Sequence, residues 1–427
     1  MSWMFGADER SRITRELSPL RSWHAWLSLA TIGRMMSDKP SGGKNSAGLW
    51  KRSFVFAVAA TFGIFFSHQT LIVLTPYYVA ASGSGDAVTG SITGVFMFAA
   101  TVTPLAMARL LSLYDTRSLL VVSVLLLAAP AFAYSLTPDP VSVAALSLVR
   151  GVGFGIAAVA CAMVISVQAP PERRGAAVGW FGLAASAPAI FGPGLAFALV
   201  GAFGFVYMFL FVGLVTFLSL AAVLPLGPMP PIPAGGAGVS RALRRSALLL
   251  PSAMFAFAAL VYGGLLTFVP LYLETAEVNG SSVLFFLIFG TSIAVSRALG
   301  GTLLERFGAA VVFPVSLGAS IFAVLLLALV PLAGVPPLVA LLFGCGFGTA
   351  ATATHAVLVS RVSREGYGTV NALYNVAFNG GIGAGGALFG VVAQAGGYAF
   401  TFLSAALWLA ASAALFLLDR AMSGSDE

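Results

Sequence analysis

From residue 53 to residue 418 the chain alternates long apolar runs with short connectors rich in turn-forming residues. The runs cover roughly 53–80, 87–108, 118–136, 141–167, 175–199, 204–226, 247–273, 281–302, 309–331, 337–360, 368–393 and 397–418. Each approaches or exceeds the ~20 residues that an α-helix needs to cross a hydrocarbon core of ~30 Å. A membrane β-strand would alternate apolar and polar residues instead, so a β-barrel is excluded. The 48 Gly and 22 Pro of the chain do not argue against helices, because membrane bundles tolerate both. The pattern predicts an all-α membrane protein with twelve transmembrane helices.

Composition agrees. Hydrophobic residues make up 59% of the 427 and charged residues 9%, against roughly 25% charged in an ordinary soluble domain. That leaves too little polar surface to wrap a soluble globule, which excludes a soluble enzyme, a nucleic-acid binder and a disordered protein. Cys161 and Cys345 both lie in apolar runs, so there is no disulfide framework. The formal charge of +7 matters through its placement. With a cytoplasmic N-terminus, Arg109, Arg117, Arg173, Arg174, Arg241, Arg244, Arg245, Arg297, Arg306, Arg361, Arg364 and Arg420 all fall inside. The outer loops carry only Asp86, Asp139, Glu274 and Glu277. This is the positive-inside pattern, and it places both termini in the cytoplasm.

Residues 1–52 read as a disordered cytoplasmic tail, with a true start at Met35 or Met36 as the alternative. Residues 53–226 and 247–418 form two six-span halves, joined by a cytoplasmic linker at 227–246 that is rich in Pro and Gly. Residues 419–427 form a short cytoplasmic tail. The halves are related by one shift of 193 positions, which lays Gly151, Gly153, Phe154 and Gly155 over Gly344, Gly346, Phe347 and Gly348. It also carries Glu172 to Glu365, Gly175 to Gly368, Gly192 to Gly385, and Ala108–Asp115 onto Gly301–Gly308. An even number of spans per repeat gives two parallel six-helix repeats, with a binding site expected between them near mid-membrane.

The motifs carried by these repeats resemble those of the major facilitator superfamily. SRALGGTLLERFG, from Ser296 to Gly308, is similar to the family's loop motif between spans eight and nine. QAPPERRGAAVG, from Gln168 to Gly179, resembles its signature after span four, and FGPG, from Phe191 to Gly194, the Gly-Pro motif common in span five of exporters. The resemblance covers residues 53–418 and implies a gating role for Arg109, Ser112, Arg297, Gly301, Glu305, Arg306, Gly192 and Pro193. Three departures stand out. Ser112 replaces the acid that latches the first half, while the second-half copy keeps Glu305. Ser147 stands where the span-four motif has an arginine, and Arg150 follows one turn along. The glycines expected after Pro193 and Gly194 are Leu195 and Ala196.

Arg150 is the only charged residue that the apolar runs place well inside a span. It is read either as an anion clamp or coupling group, or as a structural arginine bonded to backbone carbonyls. His68, followed by Gln69, sits near the centre of span one, where a histidine can carry a proton or simply bond a neighbouring helix. His355 and Thr352 share a face of span ten. Asn371, Asn375 and Asn379 form a stripe along span eleven beside Tyr374, suited to substrate hydrogen bonds or to interhelical bonding. Tyr262 is a further candidate, with packing as its commoner use.

SGGKNS, from Ser41 to Ser46, lacks the spacing of a phosphate-cradling loop, so no ATPase is expected. Neither a metal site nor a catalytic constellation is found, and no cofactor is expected. No Asp or Glu falls inside a span, so proton coupling would rest on His68 or on Glu274 and Glu277 at the outer mouth; otherwise the chain is a facilitator or exchanger. The expectation is a secondary transporter working by alternating access in a bacterial inner membrane. It would act as a monomer in the lipid bilayer, exporting a small metabolite or drug-like substrate. Import of a small organic anion is the alternative within transport, and a non-transporting sensor or scaffold the alternative outside it.

Overall fold

The structure is a computed structural model describing residues 51–168, 173–229, 231, 246–275, 281–330, 335–362 and 366–423. Of the two compact units of the chain, Met1–Gly48 lies outside the described residues, and with it the expected tail and the choice of start. Leu49–Glu427 carries all that follows. The linker expected at 227–246 is described only at its ends, and Glu172, Glu277, Arg241, Arg244, Arg245 and Arg364 also lie outside the described residues.

Among the described residues, eleven helices are long and apolar enough to cross a membrane. They are α1 (Arg52–Ala81), α2 (Asp86–Leu113), α3 (Thr116–Ala133), α4 (Pro140–Gln168), α5 (Arg174–Phe203), α6 (Phe205–Val223), α7 (Ser246–Thr275), α8 (Ser281–Phe307), α9 (Ala309–Leu329), α10 (Val335–Ser360) and a final stretch, Tyr367–Ser423. That last stretch, 57 residues long, is two helices joined at Gly397, where φ 75° and ψ 178° leave the helical region. Glycine adopts such a backbone without a Cβ penalty. Counted as α11 (367–396) and α12 (398–423), the stretch completes the twelve expected spans. Gly204, 193 positions earlier, makes the same break between α5 and α6 with φ 86°.

Local chemistry sets the other boundaries. Asp115 caps α3 by accepting from the Ser118 amide at 3.2 Å, which satisfies one of the free donors of the first turn. Asp139 caps α4, accepting from the Ser142 amide at 2.9 Å and its hydroxyl at 2.8 Å. The Ser142 amide, followed by its hydroxyl, holds the Asp139 carboxyl below the usual carboxylate range. α3 ends in a single 3-10 turn, Tyr134–Leu136, within the expected third span. Several helices outrun the apolar runs that announce them; α8 continues to Phe307, five residues beyond the expected end at 302.

The sequence repeat is also a repeat of packing. Gly151 lets α4 close on α2 at the Phe96 carbonyl, and Gly344 lets α10 close on α8 at the Phe289 carbonyl. Gly153 faces the Ser123 carbonyl and Gly346 the Ser316 carbonyl, while Gly155 faces Thr103 and Gly348 faces Ser296. Every partner is displaced by the same 193 positions as the glycines themselves. Close packing of small residues is the main attraction available between helices in lipid, so these positions fix the helix triplets of each repeat.

Candidate functional site

The face that carries residues 51 and 423 is called the terminal face here, and the opposite one the far face. At the far face the two repeats are sealed by two equivalent seams. In the first, α2 meets α11: Gly90 lies against the Gly386 carbonyl, and Gly94 against Ala387. In the second, α5 meets α8: Gly194 lies against Leu287, and Gly290 against the Ala189 carbonyl. The Gly94–Ala387 and Gly194–Leu287 contacts are images of each other at the repeat offset. Polar clasps cross the same end. Thr93 Oγ1 lies 3.2 Å from Thr267 Oγ1, the Ala87 amide donates to Gln394 Oε1 at 3.2 Å, and Tyr398 donates to Asp86 Oδ1 at 3.1 Å. Tyr77 of α1 lies within electrostatic reach of Glu274 of α7.

Toward the terminal face, α8, α10 and α11 of the second repeat line an open cavity of about 480 Å³. α8 and α10 are drawn together where Gly300 meets Thr352, whereas a Cβ on Gly301 would meet nothing within 4 Å. The cavity begins where the small-residue contact ends. Its walls carry Arg297, Glu305, Thr352, His355 and Tyr374, and Thr352 donates its hydroxyl to the Gly348 carbonyl at 3.1 Å. This volume lies in the range of small-molecule sites.

Arg297 is the informative member. The apolar run placed it five residues from the end of span eight, but α8 continues to Phe307. Arg297 is therefore ten residues from the helix end, about 15 Å at 1.5 Å per residue. Its side chain is exposed and makes no ion pair or hydrogen bond with a described residue, though it lies within electrostatic reach of Tyr262 and Tyr374. A guanidinium that faces a cavity with no described partner is a candidate binding group for an anion.

His355 Nε2 lies 2.8 Å from Asn371 Oδ1. A carboxamide oxygen only accepts, so Nε2 carries the proton, and in the neutral ring Nδ1 is left as an acceptor. Asn375 donates to the Asn371 carbonyl at 2.8 Å, which spends two of the three stripe asparagines on contacts within the protein; Asn379 is half-buried. Behind them stands a ladder of nearly parallel rings. Tyr374 stacks on Phe255 at 4.4 Å, Phe255 faces Phe347 at 6.0 Å, and Tyr262 lies parallel to Phe347 at 4.5 Å. Tyr262 is 8% exposed and Tyr374 half-buried, so the ladder meets the cavity at its Tyr374 end.

The first repeat treats its buried cation differently. Arg150 is 1% exposed, with its guanidinium carbon 4.2 Å from the centre of the Phe96 ring and 5.9 Å from that of Tyr134. Nε and Nη1 have no hydrogen-bond partner among the described residues, and the Tyr134 hydroxyl is engaged with Ser147 Oγ at 2.8 Å. His68 lies between Phe154, at 3.8 Å, and Phe96, at 5.4 Å, and its Nδ1 has no partner. Both side chains are packed under rings in this state. Gln69 is half-buried, and with Thr70 it forms the surface of α1 that approaches Gly192, next to Pro193 in α5.

The loop motifs also differ between repeats. Ser112 donates to the Arg109 carbonyl at 2.8 Å within its own helix, and Arg109 is exposed. Asp115, at the motif's last position, accepts from the Met229 amide at 2.6 Å, and Arg117 donates to the Leu224 carbonyl at 2.6 Å. These bonds tie the start of α3 to the chain that follows α6. In the second repeat Glu305 is exposed at the cavity wall, and Arg306 lies over the Phe307 ring at 5.3 Å. One pairing had no local signal: Arg361 donates twice to Asp419, at 2.8 and 2.6 Å, joining the end of α10 to α12.

The family model described as the Major Facilitator Superfamily matches residues 57–386. A bacterial homolog of the human lysosomal transporter Spinster, solved in an inward-facing and unoccupied conformation, superposes with a TM-score of 0.72 at 17% identity, covering 88% of this chain and 98% of its own. The nucleoside transporter NupG superposes with a TM-score of 0.68 at 16% identity, covering 87% of this chain and 98% of its own. At these identities the likeness concerns the fold. No curated protein sequence matches the chain.

Proposed function

The chain belongs to the major facilitator superfamily and is a membrane transporter, and from that premise we propose that it works by alternating access, exporting a small metabolite or drug-like compound. The observation that carries this reading is the asymmetry between the two faces. Glycine seams and hydrogen bonds between the repeats gather at the far face, while the polar cavity lies toward the terminal face. Contacts built from glycine and single hydrogen bonds suit surfaces that part and re-form, since no large side chain has to be extracted from a partner.

The termini are assigned to the cytoplasm. Helix ends at the terminal face carry Arg109, Arg117, Arg173, Arg306, Arg361 and Arg420, and those at the far face carry Asp86, Asp139 and Glu274. The state described is then the inward-facing one, in a bacterial inner membrane, with a monomer sufficient for the cycle. Export direction rests on the Gly192–Pro193 pair of α5, by resemblance. Arg109, Ser112, Gly301, Glu305 and Arg306 are assigned to gating, with the first repeat relying on the Asp115–Met229 bond where the family's acid is replaced by Ser112. A second reading, uptake of a small organic anion, is favoured by the unpaired Arg297.

Spin labels test the cycle. One pair is placed at Ser82 and Thr275 on the far face, the other at Ser166 and Ser360 on the terminal face. Two distance populations are expected for each pair, shifting in opposite senses as conditions change. One narrow population in both pairs under all conditions would mean a rigid bundle and favour the non-transporting alternative. Flux of the identified compound in right-side-out and inverted vesicles then separates export from uptake.

A further inference from the structure

Resting on the transporter reading, we infer that the cavity of the second repeat binds a flat aromatic monocarboxylate. Its carboxylate would lie on Arg297 and its ring system against the Tyr374 end of the ladder. Arg297 presents a planar fork of N–H donors whose geometry matches a carboxylate in a two-point bond, and no described residue occupies that fork. Glu305, the acid on the same wall, is eight residues nearer the end of α8, about 12 Å along the axis. It does not neutralise Arg297, and it repels a second negative charge at the mouth. That selects a monoanion over a dianion. A cation is disfavoured at depth by Arg297 itself.

Two further features set the rest of the molecule. The open cavity of about 480 Å³ has room for a compound of two or three fused rings. Tyr374 is held with its face on Phe255 and stands perpendicular to the His355 ring at a ring distance of 5.2 Å, so the platform is fixed before a ligand arrives. His355, bonded through Nε2 to Asn371, offers Nδ1 to a hydroxyl or amino substituent. The other deep cation cannot serve in this state, because Arg150 is 1% exposed and covered by Phe96.

The test uses the full chain in detergent with the isosteric pair naphthoate and naphthamide and a cationic probe of the same ring, naphthylmethylammonium. Thermal stability and titration calorimetry are read for the unmodified chain, for Arg297→Lys and for Arg297→Gln. Naphthoate is expected to raise the melting temperature and to bind about tenfold more tightly than naphthamide. Arg297→Gln should erase that preference, and Arg297→Lys should restore part of it. Equal binding of naphthoate and naphthamide by the unmodified chain overturns the inference, and this comparison holds even if a variant fails to fold. So does a preference that survives Arg297→Gln, or stabilisation by the ammonium probe alone. The spin-label pairs, carried in the same samples, keep the two readings apart. Two states without naphthoate binding leave the transporter and remove the substrate class; naphthoate binding to a single rigid state does the reverse.

Discussion

Tyr398, at the start of α12, donates its hydroxyl to Asp86 Oδ1 on the first residue of α2 at 3.1 Å, so a carboxylate of one repeat is held by the other. Tyr77 and Glu274 reverse the arrangement, with the hydroxyl on the first repeat and the carboxylate on the second, within electrostatic reach of each other. The Tyr398–Asp86 bond exists only while the far face is closed. A hydrogen bond to a charged group contributes about 1.5–3 kcal/mol, which is tenfold or more in a population ratio. Tyr398→Phe removes the donor and keeps the ring. The long-distance population of the Ser82/Thr275 label pair should therefore rise by roughly tenfold. An unchanged distribution would mean that the glycine seams alone hold this face.

The seams have a sharper test. A Cβ on Gly386 would lie 2.7 Å from Thr93 Cβ and 3.0 Å from the Gly90 carbonyl oxygen, and Thr93 is itself tied to Thr267. Gly386→Val adds two further carbons to that contact. The closed far face should be lost and transport should stop, while size-exclusion behaviour stays that of the folded protein. Gly301 is the control, since nothing lies within 4 Å of its Cβ position. Gly301→Ala should gain up to ~1 kcal/mol of helix preference and raise thermal stability. If it instead stops transport, Gly301 is needed for a close approach in the other state of the cycle, as its place in the gating motif suggests.

Much of this architecture is legible in the sequence because lipid leaves few options. Twelve apolar runs had to be helices, and one offset of 193 positions relates glycines that do pack alike, Gly151 on Phe96 and Gly344 on Phe289. What the pattern misses is what helices do beyond their apolar runs and across space. Hydropathy ends span eight at residue 302, yet the helix continues to Phe307, so Arg297 stands ten residues from the helix end and not five. Arg150 stands out in the sequence because its neighbours are apolar, and the same neighbours, Phe96 and Tyr134 among its contacts, are what enclose it. The ring ladder joins Phe255, Phe347 and Tyr374 from three helices, and no single helix period reports it.

The two deep arginines should separate cleanly by mutation. Arg150 is a fully buried charge with aromatic faces and no ion pair to an acid among the described residues. Replacing a buried charge by an apolar side chain of similar length is often neutral or stabilising, so Arg150→Met should hold or raise the melting temperature. Arg150→Ala empties the position and should lower stability by roughly 2–5 kcal/mol, as for a methionine-sized core truncation. Neither change should alter naphthoate affinity by more than about twofold, because Arg297 does the binding. A fall in stability for Arg150→Met as large as for Arg150→Ala would show that the contact with Phe96 holds the first repeat together.

Carrying a monoanion past Arg297 moves net charge across the membrane unless a proton travels with it. A potential of 100 mV acts on one charge with about 2.3 kcal/mol, which corresponds to roughly fiftyfold accumulation on the positive side. In proteoliposomes with a potassium diffusion potential, naphthalenesulfonate serves as the probe because its acid stays ionised and does not leak as a neutral form. An uncoupled carrier should accumulate it on the positive side for either orientation of the protein, without a pH gradient, and His355→Gln should leave the accumulation intact. If accumulation requires a pH gradient instead, a proton moves with the anion. Loss of that requirement in His355→Gln would then place the proton on the ring that faces the cavity, and its persistence would shift the assignment to His68 or to the clasp acids Asp86 and Glu274.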